Sequence, residues 1–373
     1  MILITTQCFA PKIGGIESLM TGMAEAMAQT GNEVLVLADG YKEDSDLKQK
    51  YKIKRFSGWK PLRRIKKAKY IEDICKKESI EAIFADSWKS IEYLKKDQKK
   101  ILVLAHGTEI PKQYWTMMLD ILRFKRNRIR QSYKNVYKII ANSSYTKDLM
   151  QASLKIDTDI IKIVHPGIDV YRDFISEVDK KNVNEIISDH YPIITTLARI
   201  EKRKGHELVI NSLSKIINKF PNLLYLIAGE GPYMSEIKRL VKRLKLERNI
   251  KFLGWITEPE KSLILKKSDL FIMTPTIVGE SVEGFGMAFI DASFHKVASI
   301  GSDSGGIADA ILDNETGMIC EAGNQKMITE KILLLLENKK RRIELGYNGY
   351  KRAIKNFTWS KKVKEYLIAA DIK

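Results

Sequence analysis

The sequence predicts an α/β protein of two doubly wound domains, each a parallel sheet covered by helices, facing one another across a cleft. Three observations predict it. Short, nearly continuous apolar runs alternate with longer amphipathic stretches along the chain, and strands apolar on both faces belong to parallel sheets buried under helices. This rhythm occurs twice, interrupted by a polar and charged stretch over 169–190. The length of 373 residues exceeds one ordinary core and suits two.

The elements follow in order. In the first half, strands are expected at Ile2–Thr5, Val34–Ala38, Ile53–Phe56, Ala82–Ala85, Ile101–Ala105, Ile139–Ala141 and Ile160–Val164. Helices fall between them, among them Ile16–Gln29, Ile65–Lys77 and Tyr145–Leu154. The 169–190 stretch reads as the interdomain connection. Strands resume at Ile193–Thr196, Leu223–Ala228, Ile250–Leu253, Leu270–Met273, Ala298–Ile300 and Met318–Ile319, with helices at His206–Lys219, Tyr233–Leu246, Asn324–Leu336 and Lys361–Ala370. The expected domains are 1–175 and 176–355, with a last helix in 356–373 placed to pack back toward the first domain.

Composition narrows the setting. Hydrophobic residues make up 44% and charged residues 29%, a globular balance. No apolar run approaches the roughly 20 residues that span a bilayer, and Ile2-Leu3-Ile4 reads as a strand, not a signal peptide. Cys8, Cys75 and Cys320 form neither a disulfide framework nor a zinc spacing, which points to a reducing cytoplasm. The net charge of +18 favours phosphate-bearing partners. Two basic runs contain no acid, Lys60–Lys69 and Arg123–Lys138. The second carries Phe124, Ile129 and Tyr133, so it reads either as a helix lying on an anionic membrane or as one whose apolar residues face the core. A nucleic-acid partner is not expected, since no helix-turn-helix, zinc spacing or stacking motif accompanies the charge.

The chemistry-bearing residues lie at strand ends. Gly14-Gly15 follows the first strand and opens a helix, where bare backbone amides approach a phosphate or sugar; a tight turn is the plainer reading. His106-Gly107-Thr108-Glu109 follows Ile101–Ala105, and His106 is placed to contact a substrate hydroxyl or simply to satisfy its own loop. Arg199 and Lys204 flank a turn after Ile193–Leu197, a planar fork and a point charge suited to a diphosphate. Gly229-Glu230-Gly231 starts a dinucleotide fingerprint that fails at Met234. The stretch Gly279–Ala292 says most. Glu283 precedes Gly284-Phe285-Gly286-Met287, a glycine-flanked turn opening a helix, and Asp291 lies on that helix. A carboxylate in the turn accepts bonds from sugar hydroxyls, one in the helix from ribose, and the helix start offers amides to an anion. Gly305-Gly306 opens a further helix.

Taken together, these motifs resemble a family-4 retaining glycosyltransferase of the GT-B fold, two facing Rossmann-like domains, over nearly the whole chain. Glu283 and Asp291, separated by seven residues, match the family's paired-acid motif, and Arg199 with Lys204 match its diphosphate pair. The His106–Glu109 turn and the extra residues Ile277–Val282, Glu280 among them, resemble the bacterial mannosyltransferases that build phosphatidylinositol mannosides. Two departures stand out: the second acid is Asp291, not glutamate, and Ala198 replaces the glycine before the arginine. The resemblance implies hexose transfer, mannose favoured, from a GDP- or UDP-linked donor to a glycan or lipid-linked acceptor, with no cofactor and no metal. It assigns His106, Arg199, Lys204 and Glu283 to catalysis, and Gly14, Gly15, Gly229, Gly284, Phe285, Gly286, Met287 and Asp291 to the donor. It implies a cytoplasmic enzyme at the inner face of the cell membrane. A sugar-nucleotide epimerase or a phosphorylase on the same architecture is the competing reading.

Overall fold

The computed structural model describes residues 1–95, 100–111, 119–134, 136–168, 176–279 and 281–372, and for 119–123 the backbone alone. Asp169, Glu280 and the side chain of Arg123 therefore lie outside the described residues. The chain divides into two units, Met1–Asp169 with Phe357–Lys373, and Val170–Asn356.

Among the described residues of the first unit, seven parallel strands form one sheet: β1 (Ile2–Thr6), β2 (Val34–Asp39), β3 (Lys52–Phe56), β4 (Ala82–Ala85), β5 (Ile101–Ala105), β6 (Lys138–Ala141) and β7 (Ile161–Ile163). Their order is β3-β2-β1-β4-β5-β6-β7. Side chains alternate across a strand, so β1 feeds two cores. Ile2 and Ile4 join Met20, Met23 and Met27 of α1 (Gly15–Gln29). Leu3 joins the opposite layer, which is closed by α2 (Lys60–Lys77), α3 (Trp88–Ile91), α4 (Leu119–Tyr133) and α5 (Ser144–Leu154).

The second unit opens with α6 (Glu177–Ile187) and holds a six-stranded parallel sheet, β8 (Ile193–Leu197), β9 (Leu224–Ala228), β10 (Ile250–Gly254), β11 (Leu270–Ile272), β12 (Ala298–Ser302) and β13 (Gly317–Cys320), in the order β10-β9-β8-β11-β12-β13. Its helices are α7 (His206–Ile216), α8 (Met234–Arg243), α9 (Glu258–Lys267), α10 (Met287–Phe294), α11 (Ile307–Ala310), α12 (Gln325–Glu337) and α13 (Lys339–Asn356). The last helix, α14 (Trp359–Ala369), belongs to the first unit and packs on α1. Its Trp359 is seated against Gly22 and Gly167, where an added Cβ would come within 2.2 and 2.5 Å of the indole. Side chains at those two positions would expel the tryptophan.

The polar stretch read as a connection is partly a helix. Ser176 caps α6 by accepting from the Asp179 N–H, Val183 is buried, and α6 packs on α9. Its core-facing set, Val183 with Ile186 and Ile187 packed beside it, has helical spacing but fills only the second half of the helix, among charged residues.

In each sheet the chain runs outward from the first strand, β1 or β8, to one side through the next two strands and then to the other side from β4 or β11. The carboxyl ends of such strands form the crevice where doubly wound folds bind ligands. The loop leading to Gly14 leaves β1, and the loop holding Arg199 to Lys204 leaves β8.

Candidate active site

After β8 the chain turns through a short 3-10 segment, Lys202–Lys204, ending at Gly205. Gly205 has φ +77°, and a Cβ there would lie 2.1 Å from the Thr274 carbonyl oxygen. Only glycine permits this approach. It brings the turn against the segment following β11, where the Thr276 N–H donates to the Arg203 carbonyl at 2.7 Å.

Glu283 arrives from that same segment. Lys204 Nζ donates to Glu283 Oε2 at 2.6 Å and Arg203 Nη1 to the same oxygen at 3.0 Å. Arg203 Nε donates to Glu201 Oε2 at 2.8 Å, and Arg199 Nη1 pairs with Glu201 Oε1 at 3.3 Å. Three cations thus interleave with two carboxylates. Burial pushes the Glu283 carboxyl up, but Lys204 and Arg203 outweigh it and hold the group below its usual range. Its folded value lies under its unfolded one, so this cluster contributes stability above the ordinary glutamate range and loses it as pH falls through the folded value.

The backbone of Glu283 is fixed as well. Its carbonyl accepts from the Gly306 N–H at 2.9 Å, and Gly305, at φ +69°, lies so close that a Cβ would fall 2.1 Å from that oxygen. Gly305-Gly306 is therefore the brace of the acid, a role its position after β12 did not reveal in sequence.

The turn then opens α10. Gly286 adopts φ +93°, and no side chain among the described residues caps the first amides of the helix. Gly284 and Met287 are partly buried beside it. Phe285 is only 2% exposed, so its side chain serves the core and only its backbone can meet a ligand. Asp291, one turn into α10, pairs with Lys261 of α9 at 3.2 Å, and Lys261 also pairs with Glu258 at 2.7 Å. Burial draws the Lys261 ammonium down, but the two carboxylates more than restore it. Gly229 is a packing glycine: at φ +126°, a Cβ would strike the Ala198 carbonyl at 2.2 Å.

In the first unit, His106 is buried. Its Nε2 lies 2.9 Å from the Asp86 carbonyl, and its N–H donates to Glu109 Oε1 at 2.7 Å. The ring is thus oriented by the loop after β4, with Nδ1 left for another contact. Gly14 is the residue before α1, and Glu17 Oε2 lies 2.2 Å from where its Cβ would be. The helix end offered by Gly14-Gly15 is therefore already faced by a carboxylate of its own chain. Asp46 makes a bidentate pair with Arg55, which occupies one of the two acids of Asp44-Ser45-Asp46.

Sequence reasoning singled out Arg199 and Lys204 and passed over Arg203 and Glu201. The structure puts Lys204 and Arg203 on the acid, whereas the Arg199 side chain is 64% exposed and reaches Glu201 alone among the described residues. Arg203 sits in the 3-10 turn Lys202–Lys204, so no strand alternation placed it beside Glu201, and no such signal stood in the sequence. Lys261 gave no signal, lying on a distant helix.

Known proteins match both halves of the chain. Residues 178–352 match the family described as glycosyl transferases group 1, and residues 13–172 match glycosyltransferase family 4. The GDP-mannose-dependent alpha-(1-6)-phosphatidylinositol monomannoside mannosyltransferase of Mycolicibacterium smegmatis is 24% identical, over 96% of this chain and 95% of its own. The N-acetyl-alpha-D-glucosaminyl L-malate synthase of Bacillus anthracis is 24% identical, over 95% and 93%. Among solved structures, Anabaena Alr3699/HepE in complex with UDP superposes with a TM-score of 0.80 at 16% identity, covering 99% of each chain. With both halves of the chain matched by glycosyltransferase families and the whole chain matched by GT-B structures, the chain belongs to the family-4 glycosyltransferases of the GT-B class.

Proposed function

We propose that this chain is a retaining hexosyltransferase that takes mannose from GDP-mannose and delivers it to a glycan or lipid-linked acceptor. The observation that carries the reading is the Arg203–Glu283–Lys204 cluster, clamped between Gly205 and Gly305. The mannosyl donor is supported by the mycolicibacterial relative, which is GDP-mannose-dependent by name. In the reaction, the acceptor oxygen bonds to the anomeric carbon as the bond from that carbon to the diphosphate breaks. The acceptor proton passes to a diphosphate oxygen on the same face. Lys204, Arg203 and Arg199 with the first amides of α10 stabilise the growing negative charge in a preorganised way. Glu283 orients the sugar through its hydroxyls, and Asp291 receives the ribose, its carboxylate set by Lys261.

The test is donor hydrolysis. Incubated with individual nucleotide sugars, the protein is expected to release free sugar and nucleoside diphosphate from GDP-mannose faster than from UDP-glucose. Because protein cations carry the diphosphate charge in this mechanism, the rate should not change in EDTA. Silence in EDTA, with rescue by Mn²⁺ or Mg²⁺, would replace the cation mechanism with a metal one. Release from no nucleotide sugar would remove the transferase reading.

The membrane reading moves from one basic run to the other. On α4, Ile129 and Tyr133 are buried in the core, and only Phe124 of the three named apolar residues is exposed. On α2, Arg63 and Lys67 turn inward to Asp39 at 2.8 and 2.7 Å. The outer side instead shows Trp59 (70% exposed), Leu62 and Ile65, among exposed Lys60, Lys66 and Lys69. Apolar side chains within a cationic face suit the interface of an anionic bilayer. No helix among the described residues is long and apolar enough to cross a membrane. We expect the protein to float with anionic vesicles at low salt and to lose most of that binding at high salt, each lysine contributing about 1 kcal/mol near the surface. Trp59→Ala with Leu62→Ala should weaken flotation further. Flotation that is equally poor on neutral and anionic vesicles would refute the assignment.

A further inference from the structure

Among the described residues Lys89 makes no direct ion pair, although the Glu109 carboxylate acts on its charge. It lies on α3, two residues beyond the carboxyl end of β4 and its Asp86-Ser87 turn, half-buried, with its Nζ 5.7 Å from the Trp88 ring centroid. It has neither a hydrogen-bond nor an ion-pair partner among the described residues. Its neighbours are cations. The Arg128 guanidinium stands 5.6 Å from the same Trp88 ring, and Arg64 and Lys60 press on its charge from α2. Burial first, then Arg64 and Lys60, draw the Lys89 pKa down.

The nearby acids are held by other groups, and Glu109 offsets the charge of Lys89 only in part. Asp86 accepts from Thr6 Oγ1 at 3.0 Å, the Gln7 N–H at 2.7 Å and Ser90 Oγ at 2.6 Å. Glu109 accepts the His106 N–H. Glu92 is shared by Arg64, at 3.4 Å, and Arg128, at 2.5 Å. Arg64 also reaches the end of β1, where its Nη2 donates to Gln7 Oε1 at 3.2 Å, and its Nε is buried with no partner. Cations from α2 and α3 thus meet over the carboxyl ends of β1 and β4 in excess of the carboxylates available to them. A half-buried ammonium among like charges is costly. An anion placed there relieves the repulsion and gains a guanidinium fork together with a point charge.

We propose that Arg64, Lys89 and Lys60 form an anion site on the first unit that takes a phosphate group carried by the acceptor. The acceptor role rests on the glycosyltransferase reading; the anion site does not. The site is separate in sequence and in unit from Arg199, Arg203 and Lys204, so each can be removed without the other.

The test titrates sn-glycerol 3-phosphate, and in a parallel arm inorganic phosphate, into the full chain saturated with GDP at physiological salt, read by calorimetry. Saturation with GDP keeps the diphosphate site occupied and reports on the donor reading in the same sample. Glycerol 3-phosphate is expected to bind, and Lys89→Met and Arg64→Met each to weaken it by roughly tenfold, the loss of one charge-assisted contact. Lys326→Met, at an exposed lysine of α12, should leave it unchanged. Equal binding by wild type, Lys89→Met and Arg64→Met would overturn the site. An equal loss in Lys326→Met would also overturn it, by showing only the pull of net charge. Inorganic phosphate binding tighter than glycerol 3-phosphate would overturn the acceptor role. Failure of GDP to bind while glycerol 3-phosphate binds would count against the donor reading and leave the anion site standing.

Discussion

Replacing Lys204 by alanine is expected to lower kcat by about 10²- to 10³-fold, the size of effect seen when one preorganised charge contact is removed from a transition state. The loss has two parts. The ammonium no longer faces the diphosphate on which negative charge develops. Glu283, only partly exposed and 2.6 Å from that ammonium, is left with Arg203 alone. The second part has its own signature. Burial already favours the protonated acid, and Lys204 is first among the groups that counter it. Without Lys204 the carboxyl pKa climbs, so the acidic limb of the pH–rate profile should move to higher pH as well as lower in height. Arg203→Ala should move the same limb in the same direction by less. Arg199→Ala should leave the limb in place, because Arg199 reaches Glu201 and not Glu283. A folded Lys204→Ala protein that turns over within a few-fold of wild type would exclude this lysine from the mechanism, and an unmoved limb would exclude its hold on Glu283.

Much of this was legible in sequence because the physics behind it is local. Every strand expected from its apolar run is present within one or two residues, since a strand buried on both faces has to be apolar nearly throughout. The loops of the candidate site were legible for the same reason: the glycines and charges stand directly after those runs. What failed depended on distance. Helix α6 was read as a connection because its core-facing set, Val183, Ile186 and Ile187, fills only its second half, among charged residues. The two basic runs looked alike, yet α4 turns Ile129 and Tyr133 inward, while α2 spends Arg63 and Lys67 on Asp39 and leaves Trp59 and Leu62 outside. That difference is set by which neighbours each helix finds. Arg203 was passed over because its partner Glu283 is 80 residues away. The packing role of Gly229 was hidden because the obstacle is the carbonyl of Ala198, in the loop of a neighbouring strand.

The same distance argument makes Gly305 the residue whose replacement should be most disruptive for its size. Gly305→Ala adds one methyl group. At φ +69° an alanine is strained, and its Cβ would sit 2.1 Å from the Glu283 carbonyl oxygen and 2.6 Å from Val282 Cγ2. The carbonyl is main chain, so relief requires the Glu283 segment or the Gly305-Gly306 turn to move, and the Gly306 N–H bond to that oxygen is strained with it. The expected cost is about 2–4 kcal/mol, backbone strain plus overpacking. A shift of about an ångström in the acid's backbone should further cost on the order of 10²-fold in kcat. Gly323→Ala separates the two effects. Gly323 has φ +84° with nothing within 4 Å of the added Cβ, so it suffers the conformational strain without the collision, roughly 1–2 kcal/mol. It should turn over like wild type. The measurements are thermal midpoints of both variants and kcat at a temperature where both are folded. Equal midpoints and equal turnover in the two variants would mean that the Gly305 turn does not brace Glu283. A stability loss in Gly305→Ala with unchanged kcat would mean that Glu283 keeps its place by its ion pairs with Lys204 and Arg203 alone.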